Sequence, residues 1–203
     1  MLSRTAKIII SCLLSATSVG LYLIYKGEER KRCMFAMILC TLGDFFMVDM
    51  FGLGDVSTYP GAALFMLGHV VYGLCFIKAS KRKGYTIINK GFKLGVVFVI
   101  AVAVVLGVLA FTIPLKPQTV MFFLILIYVA VIGFNLACQF SYAYSEKGSR
   151  YWLSVGMSLF LISDFIIFLN MLDVMPAQND LVWATYIPAQ ALIILFNSDF
   201  KKG

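Results

Sequence analysis

Seven runs of mostly apolar residues dominate the sequence, and each is close to the length of about 20 residues that a helix needs to cross a membrane. They cover residues 8–25, 33–50, 60–77, 94–113, 119–140, 151–170 and 181–198. A chain with 61% hydrophobic and only 13% charged residues would expose large apolar patches if it folded in water, which soluble proteins rarely do. The sequence therefore predicts an all-α polytopic transmembrane bundle, with residues 1–203 forming one integral membrane domain. It argues against a soluble enzyme and a disordered chain.

Lysine and arginine are concentrated in alternate connections between these runs. Of the 17 basic residues, fourteen follow the first, third and fifth runs or lie in the tail, and three (Arg4, Lys7 and Lys116) lie on the opposite side. Because cytoplasmic loops are rich in Lys and Arg, the amino terminus is expected outside and the carboxyl terminus in the cytoplasm. A multi-pass protein of the cell membrane fits this pattern. A protein of the endoplasmic reticulum membrane would show the same pattern. Topology thus accounts for the net charge of +7, and nucleic acid is not an expected partner.

The first run could also be a cleaved signal peptide, because Arg4 and Lys7 precede it. However, it is long for a signal peptide and has no clear A-x-A cleavage site. Its Ser11, Ser15 and Ser18 fall on one helical face, as expected of a helix packed into a bundle. We expect a retained helix whose serines serve packing.

A short pattern occurs twice in the chain. The second run contains Gly43-Asp44-Phe45-Phe46 and the sixth contains Ser163-Asp164-Phe165-Ile166. His69 in the third run and Gln190 in the seventh keep nearly the same offset. An offset of four spans predicts a parallel internal repeat, with spans 2–3 matching spans 6–7. A complete repeat of this kind has eight spans, so the first half is expected to lack its opening helix.

Asp44 and Asp164 are predicted to lie near the centre of the membrane, ~16 Å and ~20 Å from the cytoplasmic ends of their spans. A charged residue at that depth costs about 2.5–3.5 kcal/mol, and such residues usually face a cavity and serve a function. Two neighbouring carboxyl groups can divide into one acid and one base, the pairing used in general acid and base catalysis. These aspartates are therefore the candidate catalytic residues. A hydrogen bond between helices, made by a protonated aspartate, is the structural alternative.

Six further polar residues are candidates for substrate binding, because they share a helical face within their spans. They are His69 and Tyr72 in the third span, Asn135 and Gln139 in the fifth, and Tyr186 and Gln190 in the seventh. Each could instead tie helices together through hydrogen bonds. The single histidine has no clustered ligands, so no metal site is expected, and no cofactor is implied. The fourth span has no strongly polar residue between Leu94 and Phe111 and is expected to be a lipid-facing scaffold.

These motifs resemble the lysoplasmalogenase family, a set of small polytopic membrane hydrolases. The matching elements are Gly43-Asp44, Gly68-His69-Val70-Val71-Tyr72, Ser163-Asp164-Phe165 and the segment from Tyr186 to Gln190. The resemblance covers nearly all of the chain, roughly Lys7 to Ser198. It implies hydrolysis of the vinyl-ether bond of a lysophospholipid-like substrate, giving a fatty aldehyde and a glycerophospho-head group. It also implies that Asp44 and Asp164 are the paired catalytic aspartates. Family members usually have eight spans, whereas this chain is expected to have seven.

Vinyl-ether hydrolysis suits the residues themselves. A carboxylic acid can protonate the alkene carbon, and a second carboxylate can stabilise the resulting cation and activate water, as paired carboxylates do in glycosidases. A serine lipase is disfavoured because the G-x-S-x-G motif is absent. The single histidine disfavours a zinc-dependent ceramidase, and the last span has no lysine to bind retinal.

Two other functions stay open at this stage. Parallel repeats with acidic residues at mid-membrane also suit a proton-coupled transporter of small solutes or lipids. Helices broken by Gly or Pro in the matched segments would favour that function. Pro188 lies in one matched segment, but the residue at the corresponding position of the other is Leu67, which is not a proline. The second alternative is a non-catalytic lipid-binding protein, which the missing helix would favour.

Overall fold

The computed structural model describes residues 2–112, 119–171 and 179–197, and within them the chain forms seven α-helices. These are α1 (Arg4–Tyr25), α2 (Glu28–Met47), α3 (Thr58–Arg82), α4 (Lys90–Thr112), α5 (Thr119–Glu146), α6 (Tyr151–Met171) and α7 (Asn179–Phe196). Those ranges contain no β-strand. The all-α class is confirmed, and each described helix overlaps one predicted apolar run, with boundaries that differ by several residues for helices such as α2 and α3.

Within the described residues, four helical segments are long and apolar enough to cross a membrane. They are Arg4–Tyr25, Gly54–Arg82, Leu124–Glu146 and Gly148–Asn170. A shorter apolar helix covers Asp180–Phe196. Large apolar side chains such as Ile9, Leu23, Val104 and Leu126 are exposed on the surface of the bundle. Lipid rather than water is the solvent in which such a surface is stable.

Six of the helices form a closed ring, in the order α1, α2, α3, α5, α6 and α7, with α7 returning to α1. The helix α4 lies outside this ring and packs mainly on α5. The two approach closely at Gly91, where a Cβ atom would lie 2.3 Å from the carbonyl oxygen of Phe140. Val97, Ile100 and Val104 on α4 are exposed, so this helix occupies the lipid-facing position predicted for the fourth span.

The helix α1 is attached to α2 through hydroxyl groups. The Ser15 and Thr41 hydroxyl oxygens lie 2.7 Å apart, and Thr41 donates to the backbone carbonyl of Ser11 at 3.2 Å. Ser18 is buried as well. The serine face predicted for the first span therefore packs against the bundle.

The boundaries of α2 correct the predicted depth of Asp44. The helix begins at Glu28 rather than at residue 33 and ends at Met47 rather than at residue 50. Acidic residues in its first turn suit the positive end of the helix dipole, so the charged segment joins the helix. Beyond Met47 the chain turns at Asp49, whose carboxylate accepts hydrogen bonds from the backbone N–H groups of Leu53 and Gly54. Asp44 therefore lies one turn from the end of α2, not near the middle of a span.

The pairs α2–α3 and α6–α7 each pack along their length. These pairs contain the segments in which the sequence predicted a repeat. Their packing does not confirm an internal repeat, which stays a prediction.

Candidate active site

A cavity of about 730 Å³ lies at the end of the bundle where α2 ends and α3 begins. Five helices contribute to it, namely α1, α2, α3, α6 and α7. Asp44, Asp164 and Tyr186 all line this cavity, which we call the vestibule. Its volume is typical of a pocket for a small organic ligand. The two aspartates predicted from the sequence are thus brought to one chamber from different helices.

Asp44 is held by two hydroxyl donors on neighbouring helices. Its Oδ2 atom accepts hydrogen bonds from the Ser11 hydroxyl at 2.7 Å and from the Tyr186 hydroxyl at 2.8 Å. The residue is only 4% exposed. The preceding residue, Gly43, has no side chain, and this leaves room for the ring of Phe65. A Cβ atom at position 43 would lie only 2.9 Å from that ring. The Gly-Asp motif therefore combines close packing of α2 on α3 with a buried carboxyl group.

Across the described ranges of the chain, one hydroxyl group donates to Asp164. Its Oδ2 atom accepts a hydrogen bond from Tyr128 of α5 at 2.9 Å. The adjacent Ser163 donates to the backbone carbonyl of Val182 at 3.1 Å, which ties α6 to α7 beside the carboxyl group. Tyr128 and Ser163 therefore fix both the side chain and the helix that carries it.

Asp164 also borders a second, smaller space of about 40 Å³ between α2, α3, α5 and α6. Most of its lining residues are apolar, including Ala62, Leu124, Ile125 and Phe168, and Thr58, Tyr128 and Asp164 add polar groups. We call this space the crevice. Asp44 is not among the residues that line it.

Tyr186 links two more of the predicted site residues to Asp44. The side-chain amide of Gln190 donates to the Tyr186 hydroxyl at 3.3 Å, and Tyr72 donates to the Gln190 carbonyl oxygen at 3.4 Å. Neither Tyr72 nor Gln190 lines the vestibule. They reach Asp44 only through Tyr186, so in this arrangement they hold that tyrosine in place.

The other three predicted residues form a separate buried network. The Asn135 amide nitrogen lies 2.9 Å from His69 Nδ1, and the Gln139 amide donates to Asn135 at 3.0 Å. The Asn135 and Gln139 amides also contact the sulfur of Met157. None of the three lines the vestibule. The network joins α3, α5 and α6, and a role in substrate binding stays a prediction.

Two residues that contact the aspartates were not among the predicted site residues. Ser11 was assigned to packing alone, yet its hydroxyl donates to Asp44. Tyr128 begins the polar stripe that also carries Asn135 and Gln139, and its position on that stripe was the available signal. The rim of the vestibule adds charged residues that the sequence did not assign to a site, namely Arg4, Lys7, Asp49 and Asp55.

In the part of the chain that the structure describes, no group of three or more His, Cys, Asp or Glu side chains is arranged to hold a metal ion. Cys33 and Cys75 lie with their sulfur atoms 3.9 Å apart, and both are free cysteines. The groups that the described site presents at the two aspartates are carboxyl and hydroxyl groups.

The fold and the site together define a polytopic membrane protein with two buried carboxyl groups in one cavity. The family model described as the YhhN family matches residues 2–196, and the chain belongs to that family. The YhhN family is the lysoplasmalogenase family, so the resemblance seen in the sequence motifs is confirmed. No curated protein and no solved structure matches the chain.

Proposed function

We propose that this protein is a lysoplasmalogenase-type hydrolase that cleaves the vinyl-ether bond of lysoplasmalogens. The products would be a fatty aldehyde and a glycerophospho-head group. The observation that carries the proposal is the presence of Asp44 and Asp164 in one vestibule, in a chain of the lysoplasmalogenase family. Family membership supports the type of reaction, and the paired carboxyl groups supply the acid and base that it needs.

The proposed reaction begins with proton transfer to carbon. One aspartic acid gives its proton to the alkene, so that a C–H bond forms, the π bond breaks and an oxocarbenium ion results. The other aspartate removes a proton from water as the water oxygen bonds to the cationic carbon, giving a hemiacetal. When the hemiacetal collapses, the bond between its carbon and the glycerol oxygen breaks. The glycerol oxygen takes the proton from the carboxyl group that acted as base. The hemiacetal hydroxyl gives its proton to the carboxylate that acted as acid, which leaves the aldehyde. Both aspartates regain their starting states.

Hydroxyl donors around the aspartates support this role. Ser11 and Tyr186 donate to Asp44, and Tyr128 donates to Asp164. A catalytic group works best when its own orientation is fixed by packing and by neighbouring hydrogen bonds. The three donors come from α1, α5 and α7, so the assembled ring of helices holds each carboxyl group in one orientation.

The continuity of α3 and α7 favours a hydrolase over a transporter. Transporters with parallel or inverted repeats bind their cargo at helices that are interrupted near the membrane centre. Here α3 runs unbroken through Leu67 and α7 runs unbroken through Pro188. The helical breaks that would have favoured transport are therefore absent from these two described helices.

The proposed topology places the vestibule at the outer face of the cell membrane. The loops at the opposite end of the bundle carry Lys83, Lys147 and Arg150, and basic loops stay in the cytoplasm. The vestibule end carries Asp49 and Asp55 as well as Arg4 and Lys7, two of the three basic residues on that side. Substrate would then be drawn from the outer leaflet.

The test is hydrolysis by the purified protein in detergent, with a lysoplasmalogen and, separately, an ester lysophospholipid. Released fatty aldehyde and fatty acid are measured for the wild type and for Asp44→Asn and Asp164→Asn. Glu28→Gln serves as the matched control, because it makes the same carboxyl-to-amide change at the far end of α2. We expect aldehyde only, with its rate of release lowered about 10²- to 10⁴-fold in both aspartate variants and unchanged in the control. Absence of aldehyde from folded wild-type protein across a pH series would refute the proposal and favour transport or lipid binding.

A further inference from the structure

The vestibule and the crevice meet at Asp164, and their walls differ in chemistry. Both spaces are lined by Asp164 together with Met47, Thr58, Phe65 and Ile167. The vestibule continues from there towards charged residues, whereas the crevice continues between apolar ones. A molecule that lies across Asp164 would therefore have one polar end and one hydrocarbon end.

The crevice has the size and position to hold the start of a hydrocarbon chain. Its volume of about 40 Å³ gives room for roughly three groups the size of water or methylene, at 10–15 Å³ each. Ala62, Leu124 and Ile167 on its walls are half-buried, so these walls are partly accessible from outside the bundle or from the vestibule. An opening of the crevice between α3, α5 and α6 would let the rest of a long alkenyl chain remain in the bilayer.

The rim of the vestibule suits a head group that carries both signs of charge. Arg4 and Lys7 on α1 present cationic groups, and Lys7 lies over the ring of Trp183 at 5.7 Å from its centroid. Asp49 and Asp55 present carboxylates to the same space. A phosphate paired with Arg4 or Lys7 and an amine paired with an aspartate would both be matched by opposite charge.

We infer that the lipid substrate lies across Asp164, with its alkenyl chain in the crevice and its head group in the vestibule, so that Asp164 is the acid and Asp44 the base. This inference rests on the proposed function. In a vinyl ether, the proton is added to the carbon on the chain side, and water attacks the carbon that bears the oxygen. Asp164 borders the chain-side space, whereas Asp44 lines the vestibule and is not among the described residues that line the crevice.

The hydrogen bonds agree with this division of roles. Two hydroxyl groups donate to Asp44 Oδ2, which suits a carboxylate that is ready to accept a proton from water. Among the described residues, Tyr128 is the hydroxyl donor to Asp164 Oδ2, and the second oxygen of Asp164 can carry the proton that is given to carbon. In the first step Asp164 loses its proton to carbon, and in the second Asp44 gains one from water.

The position of the alkenyl chain is tested with a matched pair of variants, in which one of two neighbouring alanines on α3 is replaced by phenylalanine. Ala62 lines the crevice and its neighbour Ala63 is exposed on the outside of the helix. Ala62→Phe and Ala63→Phe are assayed by aldehyde release from two vinyl-ether glycerophospholipids, one with a long alkenyl chain and one with a chain of only two carbons. We expect Ala62→Phe to lower kcat/KM for the long-chain substrate at least tenfold and to spare the short one. Ala63→Phe should match the wild type with both.

The proposed position of the alkenyl chain would be overturned if Ala62→Phe lowered kcat/KM equally for both substrates, or for neither of them. The melting temperature in detergent shows whether the variant is folded. If it is not, Ile125→Phe in the crevice and the exposed Leu126→Phe form a second matched pair on α5. Wild-type protein that hydrolyses neither substrate would instead refute the proposed function, so the two failures are distinguishable.

The roles of the aspartates are tested by the pH dependence of residual kcat/KM in Asp44→Asn and Asp164→Asn. In the wild type, activity falls at low pH when the base is protonated and at high pH when the acid is ionised. We expect Asp44→Asn to lose the fall at low pH and Asp164→Asn to lose the fall at high pH. The reverse pattern, or both falls kept in both variants, would overturn the assignment.

Discussion

Removal of the Tyr186 hydroxyl tests how far catalysis depends on the hydrogen bonds around Asp44. In Tyr186→Phe, Asp44 keeps the Ser11 donor at 2.7 Å and loses the tyrosine donor at 2.8 Å. A hydrogen bond to a charged group contributes about 1.5–3 kcal/mol. At 1.36 kcal/mol for each tenfold change in rate, kcat should fall roughly 10- to 150-fold if that bond acts in the transition state.

The same change removes the acceptor of the Gln190 amide at 3.3 Å. A buried donor without a partner costs about 1–3 kcal/mol, and each kcal/mol lowers the melting temperature by roughly 2–4 °C in a chain of this size. Stability and kcat should therefore fall together in Tyr186→Phe. The losses in Ser11→Ala and Tyr186→Phe should not add in the double variant, because both donors bind one oxygen of Asp44.

The assay is aldehyde release from a lysoplasmalogen over a range of concentrations, so that kcat and KM are separated. Tyr144→Phe is the matched control, since this tyrosine of α5 is 40% exposed. We expect the control to keep the wild-type kcat and melting temperature. A folded Tyr186→Phe variant with unchanged kcat would refute the reasoning that Asp44 depends on this donor.

Three further predictions concern packing and can be checked by melting in detergent. Thr41→Val should lower the free energy of unfolding by about 1–3 kcal/mol, because its hydrogen bonds to α1 are lost. Gly91→Ala should destabilise the protein because its Cβ atom would meet an α5 carbonyl, whereas Gly107→Ala, with no atom within 4 Å, should not. His69→Phe should lower the melting temperature while leaving KM unchanged, since His69 does not line the vestibule; a raised KM would instead support its predicted role in substrate binding.

The helices and the paired aspartates could be predicted because they depend on local sequence. Runs of apolar residues determine where the helices lie, and an aspartate within such a run is conspicuous. The end of α2 was harder to predict, because Val48, Met50 and Phe51 are as apolar as the helix before them. The chain leaves the helix there because the Asp49 carboxylate binds two backbone N–H groups of the following turn.

The grouping of polar residues into two networks could not be predicted from the sequence. His69 and Tyr72 share one face of α3, yet His69 bonds to Asn135 of α5 and Tyr72 bonds to Gln190 of α7. Spacing along a helix gives the face of a residue, but not the neighbouring helix that this face meets. Ser11 was misjudged for the same reason, since nothing local to α1 shows that its hydroxyl meets an aspartate of α2.

The position of α4 outside the ring has a consequence for how this protein tolerates change. Its contacts are mainly with α5, and none of its described side chains lines the vestibule or the crevice. In a membrane, apolar side chains gain little by leaving lipid, so a peripheral helix is held chiefly by close backbone packing such as that at Gly91. Small fluorescent labels attached to exposed side chains of α4, such as Val97 or Val104, should therefore leave the two chambers intact.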